Sequence, residues 1–422
     1  MREPRKGPKG HMRVDAATEK FFSLINWSKL EPAIEGASLL ASHGRVLAKD
    51  IITPFDIPSF AKASMDGYAI RSKDVATASD KEPVILAIIG KLSAGEAMTY
   101  EIRDGEALSI ATGARLPMGA DAVVMSEHTR LRGSDVKIFN KVKSGENVSL
   151  VGEDMKKGRV MLKNGRWLAS QDVGLLATIG LDKVPVFRKP RVAIIATGSE
   201  LVEPGGRLDR TSIFESNRYM ISCMVQECGA EPIDLGLCKD DRPAISSRLK
   251  EAAEYDMVVV CGGTSVGPTD YVPELVNAMG KPGLVVHGVA MKPGSPTGLG
   301  IVNGRPVILV PGFPVSAFVA FYTFGRPVLQ RILQTSGPAK ANPVAKLTKS
   351  VRVHAKMRTF IRVKVTRISD SLAGGYAAEP ISAAGARLLS TLVDATGMVI
   401  VDDREMLRKG EKVEVIPFRS ID

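Results

Sequence analysis

The chain has 422 residues, 44% of them apolar, enough for roughly two to four domains with cores of their own. No apolar run reaches the length of a membrane span, and "MREPRKGPKGHMR" lacks the apolar stretch of a signal peptide, so a cytoplasmic protein without a membrane partner is expected. The net charge of +11 gathers at the ends (five Lys/Arg against one Glu over 1–13, seventeen against nine acids over 326–422), and with aromatics at 5% and no basic–aromatic module no nucleic-acid partner is expected.

Along the chain, "VDAATEKFFSLINWSKL" (14–30) reads as an amphipathic helix and "EGASLLASHGRVLAKDI" (35–51) as a second helix that ends in a strand. From "TPFDIPSFAKASMDGYAI" (53–70) to "DVKIF" (135–139) the runs are short and densely punctuated, which predicts a β-rich domain. "SLVGEDMKKG" (149–158) and "LASQDVGLLATIG" (168–180) return to a helical, linking character. After Pro190 strands alternate with helices: strands at 191–196, 232–238, 257–260, 283–289 and 305–312, helices at 212–230, 241–254, 271–279 and 314–333. The rest is Gly/Pro-punctuated with β runs such as "TFIRVKVTRI" and "KVEVIPF". The expected fold is α/β plus β and multidomain. A discontinuous helical linking domain (1–50 and 148–186) frames a β-rich insertion (51–147). A doubly wound α/β domain (187–335) and a small C-terminal β-barrel-like domain (336–422) follow.

The chemistry gathers at turns. "DMVVVCGGTSVGPTD" (256–270) is a buried strand running into a loop of glycines and hydroxyls, and loops at the carboxyl ends of parallel strands are where such sheets bind ligands. Gly262, Gly263 and Gly267 let a ligand approach the backbone, Thr264 and Ser265 offer short donors, and Asp270 precedes the next helix. Cys261 reads as a small buried residue, and the four cysteines follow no zinc spacing. "RVAIIATGSEL" repeats the strand-to-loop design with Glu200 in the loop. "MKPGSPTGLG" presents Lys292 as a point charge, and Ser316 falls at a helix start, where anions are favoured. Carboxylates at Glu200, Asp241 (or Asp240) and Asp270 would repel that anion, and a divalent cation, Mg²⁺, resolves the conflict.

"SMDGYAI" (64–70), "ATGARLPMGADAVVMSE" (111–127), "GED" (152–154), "TGSEL" (197–201), "CGGTSVGPTD" (261–270), "KPGSP" (292–296) and "PGFPVSA" (311–317) occur in that order. Together they resemble the molybdopterin molybdenumtransferase family, the bacterial MoeA proteins and the E domain of gephyrin. The resemblance implies that adenylylated molybdopterin and molybdate (or tungstate) give molybdenum cofactor and AMP, with a divalent metal. It also implies a homodimer in which the β insertion of one subunit reaches the α/β crevice of the other, and a molybdopterin adenylyltransferase as a partner. Asp66 and Thr112 then resemble the contributions of the partner subunit, with Asp154 and Glu200 as further catalytic acids. Asp241 and Asp270 resemble metal ligands, and Gly262, Gly263, Thr264, Ser265 and Gly267 a phosphate cradle. Lys292, Ser316 and Arg358 resemble the oxyanion side. The family's usual "TGDEL", "KPGKP" and "PGNP" are altered at Ser199, Ser295 and Phe313, and "ISAAGARLLSTL" lacks the Gln and Ser of its "QGSG" stretch. These departures keep a second reading open, a non-catalytic molybdopterin-binding paralogue or scaffold.

Overall fold

The computed structural model describes residues 10–97, 99–264, 271–337, 341–368, 375–381 and 387–421. The chain forms two compact units, one made of residues 1–48, 165–169 and 183–422, the other of 49–164 and 170–182.

The first unit is built on a six-stranded sheet in the order Glu231–Cys238, Arg191–Thr197, Met257–Cys261, Arg305–Val310, Gly298–Val302, Gly283–His287. Strand residues alternate between two cores. Val192, Ile194, Ala196, Met257 and Val259 enter one cluster, and Ala193, Ile195, Val258 and Val260 the other. Both faces are therefore covered, which is why these strands read as unbroken apolar runs. Helices Asn217–Glu227, Pro314–Ala320 and Arg326–Ile332 supply side chains to the first cluster, Arg242–Ala252 and Val272–Met279 to the second.

The first four strands are parallel, but Gly298–Val302 and Gly283–His287 join antiparallel. The strand at 298–302 is absent from the sequence reading. It pairs with 305–310 through Asn303–Gly304, whose φ values of 53° and 82° are those of a tight primed hairpin turn. The expected 314–333 helix is broken by a π turn at Phe321–Gly325, just before Pro327, which has no N–H for the helical ladder.

At the amino end, Val14, Ala17 and Phe21 form the buried stripe of the helix Val14–Leu24, and a 3₁₀ turn follows at Trp27–Leu30. The expected second helix is a strand followed by a single helical turn. Ile34–Ser38 pairs antiparallel with Lys183–Phe187, and only Leu39–Ser42 is helical. A distant partner strand decides the conformation there over the local pattern.

The C-terminal strands run in the order Lys412–Glu414, Val344–Leu347, Gly375–Pro380, Arg358–Ile368, Gly397–Val401, Ile416–Pro417. The two end strands are separated in sequence by Val415 alone, which is fully buried. One residue cannot span an open sheet, so this sheet curls until its edges meet. Met291–Lys292 also pairs with Arg358–Thr359, in parallel, tying the "MKPG" turn to this sheet.

The second unit holds a six-stranded sheet ordered Ala122–Met125, Gly67–Ile70, Glu106–Ile110, Val84–Leu92, Asp135–Ile138, Thr129–Arg132. Residues 148–164 belong with it, because Val148–Ser149 pairs with Lys62–Ala63 and Val160–Leu162 with Ile51–Ile52. Asp154 thus sits in this unit, outside the expected linking domain. Among the described residues no helix is long and apolar enough to cross a membrane.

Candidate functional site

In the first unit, the carboxyl ends of the parallel strands bring three of the sequence motifs together. Gly262 and Gly263 have φ values of 95° and 61°, and a Cβ on either would crowd Thr197, at 2.5 Å from its carbonyl oxygen and 3.0 Å from its Oγ1. The glycines are therefore required by backbone conformation and by the approach of the neighbouring strand end, whatever else they hold. Thr264 is buried, and its carbonyl accepts a hydrogen bond from His287 at 2.9 Å. Ser265, Gly267 and Asp270 lie outside the described residues. Cys261 is buried in the core, which pushes its thiol well above the ordinary range and makes it unreactive.

Asp240 and Asp241 have separate local duties. The Ser199 N–H donates to Asp240 at 3.0 Å while the Asp240 N–H donates to the Ser199 hydroxyl at 3.2 Å. Asp241 caps the helix Arg242–Ala252, accepting from the Ala244 N–H at 3.0 Å. A carboxylate at position 199, as in the family pattern, would face Asp240. Ser199→Asp is accordingly expected to lower stability by about 0.5 kcal/mol through like-charge repulsion, read from the melting temperature at neutral pH, with the loss disappearing once the pair is protonated in acid. Glu200 is exposed in the same turn.

Beside this crevice lies a polar cluster that the sequence reading missed. Arg218, 4% exposed, pairs with Asp234, Glu203 and Glu215. Asn217 donates to the Gly312 carbonyl at 2.7 Å. Burial raises the Glu215 carboxyl above its usual range against the opposing donors. Among the described residues, Thr197 Oγ1 and Asn217 Oδ1 are buried without a hydrogen-bond partner, and Glu215 Oε2 has the Arg218 Nε at 3.7 Å as its ion-pair partner. Unpaired oxygens at a strand end and a helix start are costly in a finished core and suit a surface that receives donors from a ligand.

A second recess, of about 1010 Å³, lies between the "KPGSP" turn and the C-terminal sheet. Lys292 and Ser316 line it, with Phe313 at its wall and Ser295 at the turn. Lys349, Arg352, Arg362 and Lys364 add positive charge against Glu379 and Asp394, and Lys349 pairs with Glu379 at 2.7 Å. Arg362 is 8% exposed, and burial lowers its pKa from the ordinary value. Lys292 Nζ lies within hydrogen-bond distance of His354 Nε2.

Arg358, expected on this side, does not line the recess. It forms ion pairs with Asp402 and Asp15, each at 2.9 Å. Arg362 stands in the recess instead. Its signal was present in "TFIRVKV": Ile361, Val363 and Val365 enter the C-terminal core, so Arg362 and Lys364 must face the other way.

In the second unit, Asp66 and Thr112, 46 residues apart, form one motif. The Thr112 N–H and hydroxyl both donate to Asp66 Oδ1, at 2.7 and 2.9 Å. These bonds, the backbone one first, hold the Asp66 carboxyl below its usual range. Its contribution to stability is therefore present at neutral pH and is lost as pH falls through the lowered value. Thr112→Val removes the hydroxyl donor and should move the Asp66 titration upward, measured by carboxyl ¹³C chemical shifts. Asp154 is exposed, its N–H donating to the Ile57 carbonyl at 3.0 Å.

Among the described residues there is no group of three or more His, Cys, Asp or Glu side chains able to hold a metal ion.

Fold and site together define a multidomain α/β protein with a β insertion, a C-terminal β module and a recess lined by basic side chains. Three family models match in succession: the MoeA N-terminal region (domain I and II) over residues 12–180, a probable molybdopterin binding domain over 193–331, and the MoeA C-terminal region (domain IV) over 344–418. A putative molybdopterin biosynthesis protein of Methanocaldococcus jannaschii is 34% identical over 393 residues, covering 90% of this chain and 92% of the relative. The molybdopterin molybdenumtransferase of Bacillus subtilis is 34% identical over 392 residues, covering 92% and 90%. The crystal structure of a molybdopterin biosynthesis MoeA protein from Pyrococcus horikosii superposes with a TM-score of 0.81 at 34% identity, covering 97% of this chain and 100% of that one. The chain belongs to the MoeA family.

Proposed function

We propose that this chain inserts molybdate or tungstate into adenylylated molybdopterin and releases AMP. Membership in a family whose curated relatives are named molybdopterin molybdenumtransferase makes it a transferase of molybdenum cofactor biosynthesis, and the paralogue or scaffold reading is not favoured. The observation that carries the finer reading is the basic recess at Lys292, with Ser316 and Arg362 beside it. A tetrahedral dianion needs cations and hydroxyl or N–H donors converging from several sides, and this recess presents them.

The pterin nucleotide belongs at the strand-end crevice, where Thr197 Oγ1 and Asn217 Oδ1 have no hydrogen-bond partner among the described residues. Asp241 with Asp270 would hold Mg²⁺ together with phosphate oxygens. When bound, that ion neutralises phosphate charge and polarises the phosphoanhydride. Glu200 and Asp154 are the further acids of this reading. Gly262, Gly263 and Thr264, with Ser265 and Gly267, are the residues this reading assigns to the phosphates. The dithiolene sulfurs of the pterin then take the metal of the oxyanion, as soft ligands do.

Asp66, held by Thr112, is an exposed and firmly ionised carboxylate, suited to complete the site of a second copy in a homodimer. An adenylyltransferase that makes the pterin nucleotide is the natural donor partner, since the substrate is an activated anhydride.

Purified protein with Mg²⁺ and molybdate is expected to release AMP from adenylylated molybdopterin. Absence of release across divalent metals, with molybdate and with tungstate, would rule the activity out.

A further inference from the structure

The recess contains a lysine and a histidine in polar contact with each other. Lys292 Nζ and His354 Nε2 lie at hydrogen-bond distance. An ammonium has no acceptor, so the imidazole nitrogen must accept, and the ring is then neutral with its proton on Nδ1. The free pair thus carries one positive charge. The family pattern "KPGKP" places a second cation three residues after Lys292. Here that position is Ser295, whose hydroxyl donates to the Met291 carbonyl at 2.8 Å and so has no proton left for an anion. We propose that His354 supplies the missing charge: when a tetrahedral dianion enters between Lys292 and His354, the imidazole takes a proton from solvent onto Nε2 and donates it to the anion. No covalent bond forms or breaks, and the bound state gains one proton. The inference rests on the oxyanion reading of this recess and adds to it a coupling between anion and proton binding.

The cations facing the pair across the recess are Lys349, Arg352, Arg362 and Lys364, and the acids are Glu379 and Asp394. Side chains of those types ordinarily keep their charge from about pH 6 to about pH 8, whereas imidazole titrates there. His354 is the imidazole that lines the recess, and the proton is assigned to it for that reason. Both Lys292 and His354 are exposed, so either can be replaced without disturbing a core.

The test is calorimetric titration of the full chain with sulfate, a tetrahedral dianion throughout that window, in two buffers of different protonation enthalpy. The wild type should take up close to one proton per anion where the free imidazole is neutral, with affinity rising about tenfold for each pH unit lowered. His354→Gln, which can still accept from Lys292 but cannot be charged, should bind with no proton uptake and an affinity independent of pH. Binding by the wild type without proton uptake, or an unchanged pH dependence in His354→Gln, would overturn the proposal. A distinct result, no sulfate or molybdate binding at any pH or binding indifferent to Lys292→Ala, would instead remove the underlying anion site and this proposal with it.

Discussion

Lys292→Ala should cut molybdate-dependent AMP release by about 10²–10³-fold, the scale for removing one positioned donor from an anionic centre. The side chain is exposed and, among the described residues, its polar contact is to His354 alone, so thermal stability should change by less than about 0.5 kcal/mol. A fall in activity without a fall in melting temperature separates a binding role from a structural one. The loss should appear as a response that no longer saturates with molybdate. Equal rates at saturating molybdate in variant and wild type would place the lysine outside the chemistry.

Gly67→Ala is expected to have the largest effect on stability. An ideal Cβ at this position lies 1.9 Å from the Val124 carbonyl oxygen and 2.9 Å from its carbon, both backbone atoms of the paired strand. A backbone cannot step aside as a flexible side chain can, so the sheet must part locally, at a cost of about 3 kcal/mol. Because Gly67 follows Asp66 directly, the Asp66–Thr112 hydrogen bonds should be lost with it. Hydrogen exchange is the measurement, with faster exchange concentrated in 67–70 and 122–125 and the six-stranded sheet of the other unit unchanged. Native protection in both strands would show that the contact is relieved at little cost.

That glycine also shows how far sequence alone could go. "SMDGYAI" was legible as a motif only by resemblance, since a lone Asp before Gly is an ordinary turn pattern. Its partner lies 46 positions away and is fixed by a sheet that only the fold reveals. Alternation of strand and helix after Pro190 was legible because fully covered strands leave unbroken apolar runs, as at Met257–Val260. The hairpin at Asn303–Gly304 was equally legible, with "GLGIV" and "RPVILV" on either side of "NG", a turn signal that the strand–helix alternation around it masks. The strand Ile34–Ser38 was not legible, since its conformation depends on Lys183–Phe187.

For the candidate site, Lys292 and Ser316 were found from their turns and stand together in the recess. Arg358 was carried over by motif position, but its guanidinium is held by Asp402 and Asp15. Arg362 and Lys364 could have been found from period-two alternation alone. His354 could not, because its closeness to Lys292 follows from the parallel pairing of Met291–Lys292 with Arg358–Thr359. The altered residue at Ser199 gains a reason from Asp240, with which it exchanges hydrogen bonds. Nothing in the structure explains Phe313, an exposed ring on the recess wall.

The most direct test is anomalous diffraction at the tungsten absorption edge from crystals soaked in tungstate. A single strong peak within reach of Lys292 Nζ, the Ser316 hydroxyl and the Arg362 guanidinium is the expected result. A strong peak elsewhere on the molecule, with that recess holding only solvent, would contradict the assignment of the oxyanion to the basic cleft.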